Sequence, residues 1–360
     1  MRFYAGGVFV PNSDPLTAVD VHAEGEPGRV ITAGMPEIPP GSMMDKMRWL
    51  EANADHIRLQ MLREPRGYPG LCCNAIVPSE NPAADAGFII MEQTEYPPMS
   101  GSNTICVVTA LLETGMVDMV EPETTLTLEA PAGLIDVRAT CADGKVTSVS
   151  FANVASFVSH LDVPIDVPTI GTVSVDLAWG GMFYAIADGD ALGIDLTASN
   201  GAEIARVSEM IRVATVEQMP VSHPLDDSIT GPTISQLTGA ATTPDVSART
   251  AVTVASGELD WDRPATWTGA LDRCPCGTGT SARMAVLHAR GQLAVGEEFV
   301  HQGPLDTTFR ARILSETTVG DMPAIVPEIT GQGWITGRGE YQLEPTDPFP
   351  EGYTIGDIWP

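Results

Sequence analysis

The segment SGSNTICVVTALLETG (residues 100–115) recurs in altered form as CGTGTSARMAVLHARG (residues 276–291). The two copies align without a gap, so that Ser100 matches Cys276 and a glycine follows each of them. Each copy continues as an apolar helical pattern and closes on a glycine, which is typical of a helix C-terminus. The repeat predicts two similar halves of the chain, each with a helix whose N-terminus is lined by glycine.

The N-terminus of each repeated helix is a candidate anion site. Unpaired backbone N–H groups and the helix dipole attract negative charge there, and Gly101 and Gly277 let a carboxylate approach the backbone. The same field is expected to lower the pKa of the Cys276 thiol from about 8.5. Two facing helix ends would hold one carboxylate and place Ser100 and Cys276 on opposite faces of the adjoining carbon, which suits proton removal and return. The simpler interpretation of each segment is an ordinary cap before a buried helix.

Helical and β-type patterns alternate around the repeat. The helical patterns lie at residues 44–65, 104–115, 201–218 and 281–291. The β-branched, partly alternating segments lie at 16–24, 29–34, 87–95, 124–140, 145–154, 183–188, 249–255, 310–315 and 333–337. Many strands with a few helices predict an α/β (α+β) fold. The segment LDVPIDVPTIG (residues 161–171), rich in turn-forming residues, is the best candidate for a domain boundary.

Charge and composition exclude several classes of protein. The 360 residues carry 47 acidic and 19 basic side chains, a net charge of −28, which repels nucleic-acid phosphates and anionic lipids. Lys46 and Lys145 are the only lysines, and neither sequence context suggests a Schiff base with pyridoxal phosphate. No signal peptide and no apolar stretch of membrane-spanning length occur, which predicts a soluble, cytoplasmic protein.

The cysteines and histidines form no recognisable metal site. The six cysteines are too sparse for a disulfide scaffold. Neither the adjacent pair Cys72–Cys73 nor the C-x-C pair Cys274–Cys276 has the spacing of zinc ligands, and the six histidines are scattered. We therefore expect no structural zinc ion.

Short motifs along the chain resemble those of the proline racemase family. They are DVHAEGEPGRV (20–30), REPRGY (63–68), PAADAG (82–87), MSGSNT (99–104), GGMFY (180–184), DRCPCGTGT (272–280), AIVP (324–327) and GWITG (333–337). Their order and spacing fit the family. Two positions depart from its usual pattern, because Ser100 replaces a cysteine and Ser102 replaces a histidine.

The resemblance implies a fold shared with diaminopimelate epimerase. In that fold two pseudo-symmetric lobes each wrap a mixed sheet around a central helix, and the active site lies in the cleft between the lobes. Residues 1–158 and 335–360 would form the N-terminal lobe, and residues 159–334 the C-terminal lobe. The resemblance also implies an enzyme without metal or cofactor that acts on a small molecule, as a monomer or homodimer.

The resemblance further implies the residues of the site. Cys276 and Ser100 would be catalytic, one on each face of the substrate's α-carbon. The paired helix N-termini would bind the carboxylate of a proline-type amino acid, and Asp272 would contact its ring nitrogen. The substrate-binding residues implied in this way are Gly101, Ser102, Asn103, Asp272, Gly277 and Thr278.

Ser100 is the residue that decides between the activities of the family. A hydroxyl is a poor proton acceptor unless a base activates it, so we expect racemisation of proline to be impaired. The first prediction is dehydration of trans-3-hydroxy-L-proline to Δ1-pyrroline-2-carboxylate, in which the Cys276 thiolate removes the α-proton. The alternative is a 4-hydroxyproline 2-epimerase, alone or as a second activity. Outside this chemistry, the chain would be a non-catalytic carboxylate-binding protein or a thiol redox protein using Cys274 and Cys276.

Overall fold

The computed structural model describes residues 15–359 of the chain. Within this range the α-helices are α1 (Met43–Leu62), α2 (Gly101–Glu113), α3 (Gly201–Gln218) and α4 (Gly277–Ala289), with short 3-10 helices at Ala198–Asn200 and Pro264–Thr266. The strands are β1 (Leu16–Ala23), β2 (Glu26–Ala33), β3 (Cys72–Val77), β4 (Ala86–Met91), β5 (Glu123–Ala130), β6 (Gly133–Ala142), β7 (Lys145–Ala152), β8 (Ser156–Val167), β9 (Gly171–Trp179), β10 (Phe183–Asp188), β11 (Val221–His223), β12 (Asp226–Gly231), β13 (Ile234–Ala240), β14 (Ala248–Ala255), β15 (Gly269–Leu271), β16 (Glu298–Gln302), β17 (Thr308–Val319), β18 (Met322–Gly331) and β19 (Gly333–Tyr341). The predicted α/β (α+β) class is confirmed. No helix in this described range has the length and apolar character needed to cross a membrane.

The first half of the fold is a sheet around α2. Its strand order is β19–β1–β2–β3–β4–β5–β6–β7. Neighbours are antiparallel except for the pairs β2–β3 and β4–β5, which are parallel. Parallel strands need a crossover connection, and α1 and α2 supply these two crossovers.

The second half of the fold repeats this arrangement around α4. Its strand order is β8–β9–β10–β13–β14–β16–β17–β18, and the parallel pairs are β10–β13 and β14–β16. The crossovers of these two pairs are α3 and α4. Strand β18 also pairs with β8, which closes the strands into a ring, and with β7, which joins the two halves. Helices α2 and α4 therefore occupy equivalent places in the two halves.

The burial of α2 and α4 follows from their small and apolar residues. Every residue of α2 from Gly101 to Leu112 is buried, and α4 is buried continuously over its first six residues. Both helices begin three or four residues earlier than their patterns predict, at Gly101 and Gly277. Glycine is a poor helix former, so the sequence pattern does not reveal a first turn that is held by packing.

Residues 161–171, the candidate domain boundary, are mostly a strand in the structure. Most of this segment belongs to β8, which forms a long antiparallel hairpin with β9. Beyond Val158, β8 has β9 as its only described partner strand, so Pro164 lies on an edge strand, the place in a sheet where proline is tolerated. The lobe limits at 158/159 and 334/335 fall inside β8 and β19, and the division into lobes stays a prediction. Residues 1–14 and 360 of the predicted N-terminal lobe lie outside the described residues.

Candidate active site

The N-termini of α2 and α4 meet at two glycines. A Cβ atom added to Gly101 would lie 2.7 Å from the Cα atom of Gly277, and the reverse distance is also 2.7 Å. No side chain fits at either position, so the two helix ends approach each other backbone to backbone. Ser100 and Cys276 are the N-cap residues of these helices and therefore stand at the same junction.

The Ser100 hydroxyl is held by a side chain from the first turn of α2. Ser100 is buried and makes no side-chain cap hydrogen bond. Instead its Oγ accepts a hydrogen bond from Asn103 Nδ2 at 2.9 Å, and Asn103 Oδ1 accepts one from Asn74 Nδ2 at 2.6 Å. This chain leaves the Ser100 O–H free to donate. Ser102, one residue before Asn103, is also buried in the first turn of α2.

The Cys276 thiol is held by two hydroxyl groups. Its Sγ lies 3.2 Å from the Tyr184 hydroxyl and 3.6 Å from Thr278 Oγ1, and these two hydroxyls lie 2.6 Å apart. The Cys276 backbone has a φ of 62°, a left-handed conformation that is uncommon outside glycine. Its N–H donates to Cys274 Sγ at 3.2 Å, which gives Cys274 a positioning contact.

Burial raises the pKa of the Cys276 thiol well above its usual range, and the nearby Asp272 carboxylate raises it further. Hydrogen bonds from Tyr184, the Gly279 backbone and Thr278 act in the opposite direction and are outweighed. The expectation of a lowered thiol pKa is therefore wrong for this structure. The helix end does supply an N–H group, but removal of the thiolate from water costs more than that contact returns.

Asp272 is buried beside Cys276, which places it at the same junction. Burial raises the pKa of Asp272 to about 6, against the opposing effects of a hydrogen bond with Cys276 and the charge of Arg273. Because Asp272 and Cys276 are buried next to each other, ionisation of one makes ionisation of the other less favourable. Of the predicted site residues, the structure brings together Ser100, Gly101, Ser102, Asn103, Asp272, Cys276, Gly277 and Thr278.

Sequence reasoning assigned no role to several residues that surround the junction: Tyr184, Asn74, Cys72, Glu26 and Glu92. Tyr184 and Glu26 lie within motifs that resemble those of the family. The sequence therefore drew attention to these segments, but it could not show which residues the two side chains contact. Glu92 directly follows the apolar strand β4, and a charged residue at that place was the available signal. All six cysteines are free thiols, so the pair required by the redox alternative is not joined.

A family model described as proline racemase matches residues 18–354. The chain belongs to the proline racemase family. It is an enzyme of that family. A curated protein from Rhizobium rhizogenes (strain K84), named 4-hydroxyproline 2-epimerase 1, is 39% identical over 346 residues, which are 96% of each chain.

Solved structures of relatives show the same fold. A hydroxyproline epimerase from Agrobacterium vitis, solved with bound trans-4-hydroxy-L-proline, is 36% identical with a TM-score of 0.89 and 96% of each chain covered. A phenazine biosynthesis protein of the PhzF family from Bacillus anthracis has a TM-score of 0.56 at 13% identity, over 91% of this chain and 99% of that one. The second likeness concerns the fold alone.

Proposed function

We propose that this enzyme inverts the configuration at C2 of 4-hydroxyproline. The observation that carries the proposal is the placement of Ser100 and Cys276 at two helix N-termini that meet at Gly101 and Gly277. The activity named for the relative from Rhizobium rhizogenes supports the choice of substrate. The order of the two activities expected from the sequence is thereby reversed, and dehydration becomes the second candidate.

The proposed reaction uses one proton acceptor and one proton donor. Backbone N–H groups at Gly101 and Gly277 bind the substrate carboxylate, and Asp272 binds the ring nitrogen. The Cys276 thiolate removes the C2 proton from one face, and the Ser100 hydroxyl gives its proton to the opposite face. The hydrogen bond from Asn103 stabilises the charge left on Ser100 Oγ. Proton exchange with solvent then restores the Ser100 hydroxyl and the Cys276 thiolate.

The substrate itself helps to form the thiolate. The Asp272 carboxylate raises the pKa of Cys276, because two negative charges in one buried place repel each other. A cationic ring nitrogen bound at Asp272 offsets that repulsion. The Tyr184 hydroxyl, 3.2 Å from Cys276 Sγ, then holds the thiolate as a hydrogen-bond donor.

The second candidate, dehydration of trans-3-hydroxy-L-proline, is favoured by the hydrogen bond from Asn103 to Ser100. A hydroxyl that accepts such a bond is a better proton donor than proton acceptor. In this reaction Cys276 removes the C2 proton, the C3–O bond breaks, and Ser100 protonates the departing oxygen. Water and an enamine are the products, and the enamine tautomerises to Δ1-pyrroline-2-carboxylate.

The two candidates separate in one experiment with the purified protein. Trans-4-hydroxy-L-proline is followed by chiral chromatography, and trans-3-hydroxy-L-proline by reaction of the imine with o-aminobenzaldehyde. We expect cis-4-hydroxy-D-proline from the first substrate. Imine formation from the second substrate, without inversion of the first, would overturn the proposal in favour of dehydration.

Variants of two cysteines test the role of Cys276. Cys276→Ser is expected to lower kcat by roughly 10²–10⁴-fold, the usual contribution of a general base. Cys141→Ser is the matched control, because Cys141 is a buried cysteine on β6. Equal activity of both variants would contradict the assignment of Cys276.

A further inference from the structure

We propose that Glu92 recognises the ring hydroxyl of the substrate from a small cavity beside Asp272. The inference rests on the proposed function, because it assumes that a hydroxyproline ring occupies the site. It adds the residue that would distinguish this substrate from proline.

The cavity is built around four polar side chains. Its walls include Glu26, Cys72, Glu92 and Asp272, together with apolar atoms of Val254. Cys72 Sγ lies 3.9 Å from Glu26 Oε1 and 4.0 Å from Glu92 Oε1, so the thiol stands between the two carboxyl groups. The arrangement is a buried polar cluster with an apolar wall.

Glu92 has one carboxyl oxygen that the cluster does not satisfy. The side chain is 94% buried, and its Oε2 has no hydrogen-bond partner among the described residues. The neighbouring Glu26 has a hydrogen-bond partner for its second oxygen, because Glu26 Oε2 accepts a hydrogen bond from the backbone N–H of Arg273. A buried polar atom without a partner is unusual in folded proteins, so Glu92 Oε2 is the natural contact for a ligand group.

The cavity adjoins the active site at Asp272. Asp272, the proposed contact of the ring nitrogen, lines one wall. Cys72, on another wall, lies close enough to Asn103, the residue that holds Ser100, for Asn103 to lower the pKa of its thiol. In the proposed binding mode, with the carboxylate at the helix ends and the nitrogen at Asp272, this space would accept a single group of the size of the ring hydroxyl, because its volume of about 10 Å³ is that of one water molecule.

The protonation of Glu92 suits a neutral hydroxyl. Burial raises the pKa of Glu92 well above its usual range, and the charges of Glu95, Asp272 and Glu26 act in the same direction. Cys72 also faces Glu92, and burial raises the pKa of that thiol as well. A neutral carboxyl has one O–H donor and one acceptor, which complement the acceptor and donor of an alcohol.

A metal ion is a poor alternative ligand for this cluster. Among the described residues no group of three or more His, Cys, Asp or Glu side chains is arranged to hold a metal ion.

A proline ring without the hydroxyl would leave Glu92 Oε2 unsatisfied in the bound complex. Sites built to hydrogen-bond a substrate hydroxyl discriminate strongly against analogues that lack it.

The test compares two ligands in variants of Glu92. For each variant we measure KM for trans-4-hydroxy-L-proline and Ki for L-proline as a competitive inhibitor. Glu92→Met, which keeps the length of the side chain but removes its polar atoms, is expected to raise KM about tenfold, the effect of one lost hydrogen bond. Its Ki for L-proline should change less than about twofold. Glu92→Gln, which keeps a donor and an acceptor, should retain most of the preference.

The control variant is Glu113→Met. Glu113 has a largely buried side chain at the end of α2, where it pairs with Lys145, so this variant should leave both constants unchanged. If Glu92→Met does not fold, Glu92→Leu replaces it, because leucine also fills the space without polar atoms and should weaken hydroxyproline binding selectively.

Two results would overturn the inference. Equal weakening of both ligands would make Glu92 a structural residue, and unchanged constants for both would show that Glu92 does not contact the substrate. Failure of the proposed function is distinguishable, since it appears as an unmodified enzyme that does not invert trans-4-hydroxy-L-proline.

Discussion

The pKa of the Cys276 thiol is set by contacts that act in opposite directions. Burial and the Asp272 carboxylate raise its pKa, while hydrogen bonds from Tyr184 and Thr278 lower it. The Tyr184 hydroxyl contacts the Cys276 thiol, and in the proposed reaction it influences the substrate only through that thiol. Tyr184 is therefore a positioning residue. It lies on β10, which α3 connects to β13, and it reaches Cys276 from 92 positions away in the chain.

Removal of the Tyr184 hydroxyl should make Cys276 harder to ionise. A hydrogen bond to a thiolate favours the charged form, so Tyr184→Phe should raise the pKa of Cys276. The rate of alkylation by iodoacetamide, measured against pH, is expected to shift to higher pH, and the acidic limb of kcat/KM should move with it. Tyr96→Phe is the control, because its buried hydroxyl contacts Asp55 instead. Identical alkylation curves for the unmodified enzyme and Tyr184→Phe would contradict the assignment.

At the scale of elements, α2 and α4 do more than fill the two sheets. Their parallel crossovers bring two glycine N-termini into contact, and the reacting side chains are the residues just before those glycines. The distance between the helix ends therefore sets the distance between Ser100 and Cys276. Any side chain at Gly101 or Gly277 must push the helices apart.

Gly277→Ala should lower both stability and activity. The added Cβ would lie 2.7 Å from Gly101 Cα, where backbone must move to make room. We expect a loss of about 1–3 kcal/mol in the free energy of unfolding, as for other overpacked sites, and a strong loss of kcat.

Gly201→Ala is the matched control for this prediction. Gly201 also begins a helix, α3, but its added Cβ would meet only Leu271 Cδ2 at 3.5 Å, an ordinary contact. Urea unfolding and turnover assays measure both effects. Equal tolerance of the two alanines would contradict the close contact of α2 and α4.

At the scale of the whole molecule, acidic side chains are abundant both on the surface and in the interior. The net charge of −28 is spread along the chain, and four acidic side chains near the junction have raised pKa values. They are Glu26, Glu92, Glu95 and Asp272. The acidic surface and a carboxylate substrate are compatible because backbone N–H groups at two helix ends provide a local positive field.

Stability should therefore fall as the pH rises from 5 to 8. Burial raises the pKa of Asp272 to about 6 and that of Glu95 to about 7. Between the ordinary carboxyl pKa and these values the folded state binds more protons than the unfolded state, so stability is lost as pH rises. We expect Asp272 alone to contribute a loss of about 1 kcal/mol between pH 5 and pH 8.

Urea unfolding at pH 5, 6, 7 and 8 measures this dependence. Asp272→Asn, which cannot ionise, should show a shallower slope than the unmodified chain. An increase in stability towards pH 8 would contradict the raised pKa values.

The sequence by itself determined the features that depend on neighbours along the chain. The periodic patterns identified the four α-helices of residues 15–359, and the repeat around Ser100 and Cys276 indicated two similar halves. The glycine that follows each of these residues marked the helix N-termini. Local backbone preferences and a duplicated pattern are sufficient for such predictions, because each rests on residues close together in the chain.

Tertiary structure alone decided what depends on burial and on distant residues. Residues 161–171 suggest a linker by composition, yet pairing with β9 makes most of them a strand. The helix end suggested a lowered pKa for Cys276, yet burial and Asp272 raise it. The contacts of Tyr184 and Glu92 were invisible for the same reason. Desolvation and long-range contact depend on how the whole chain packs, and no segment contains that information alone.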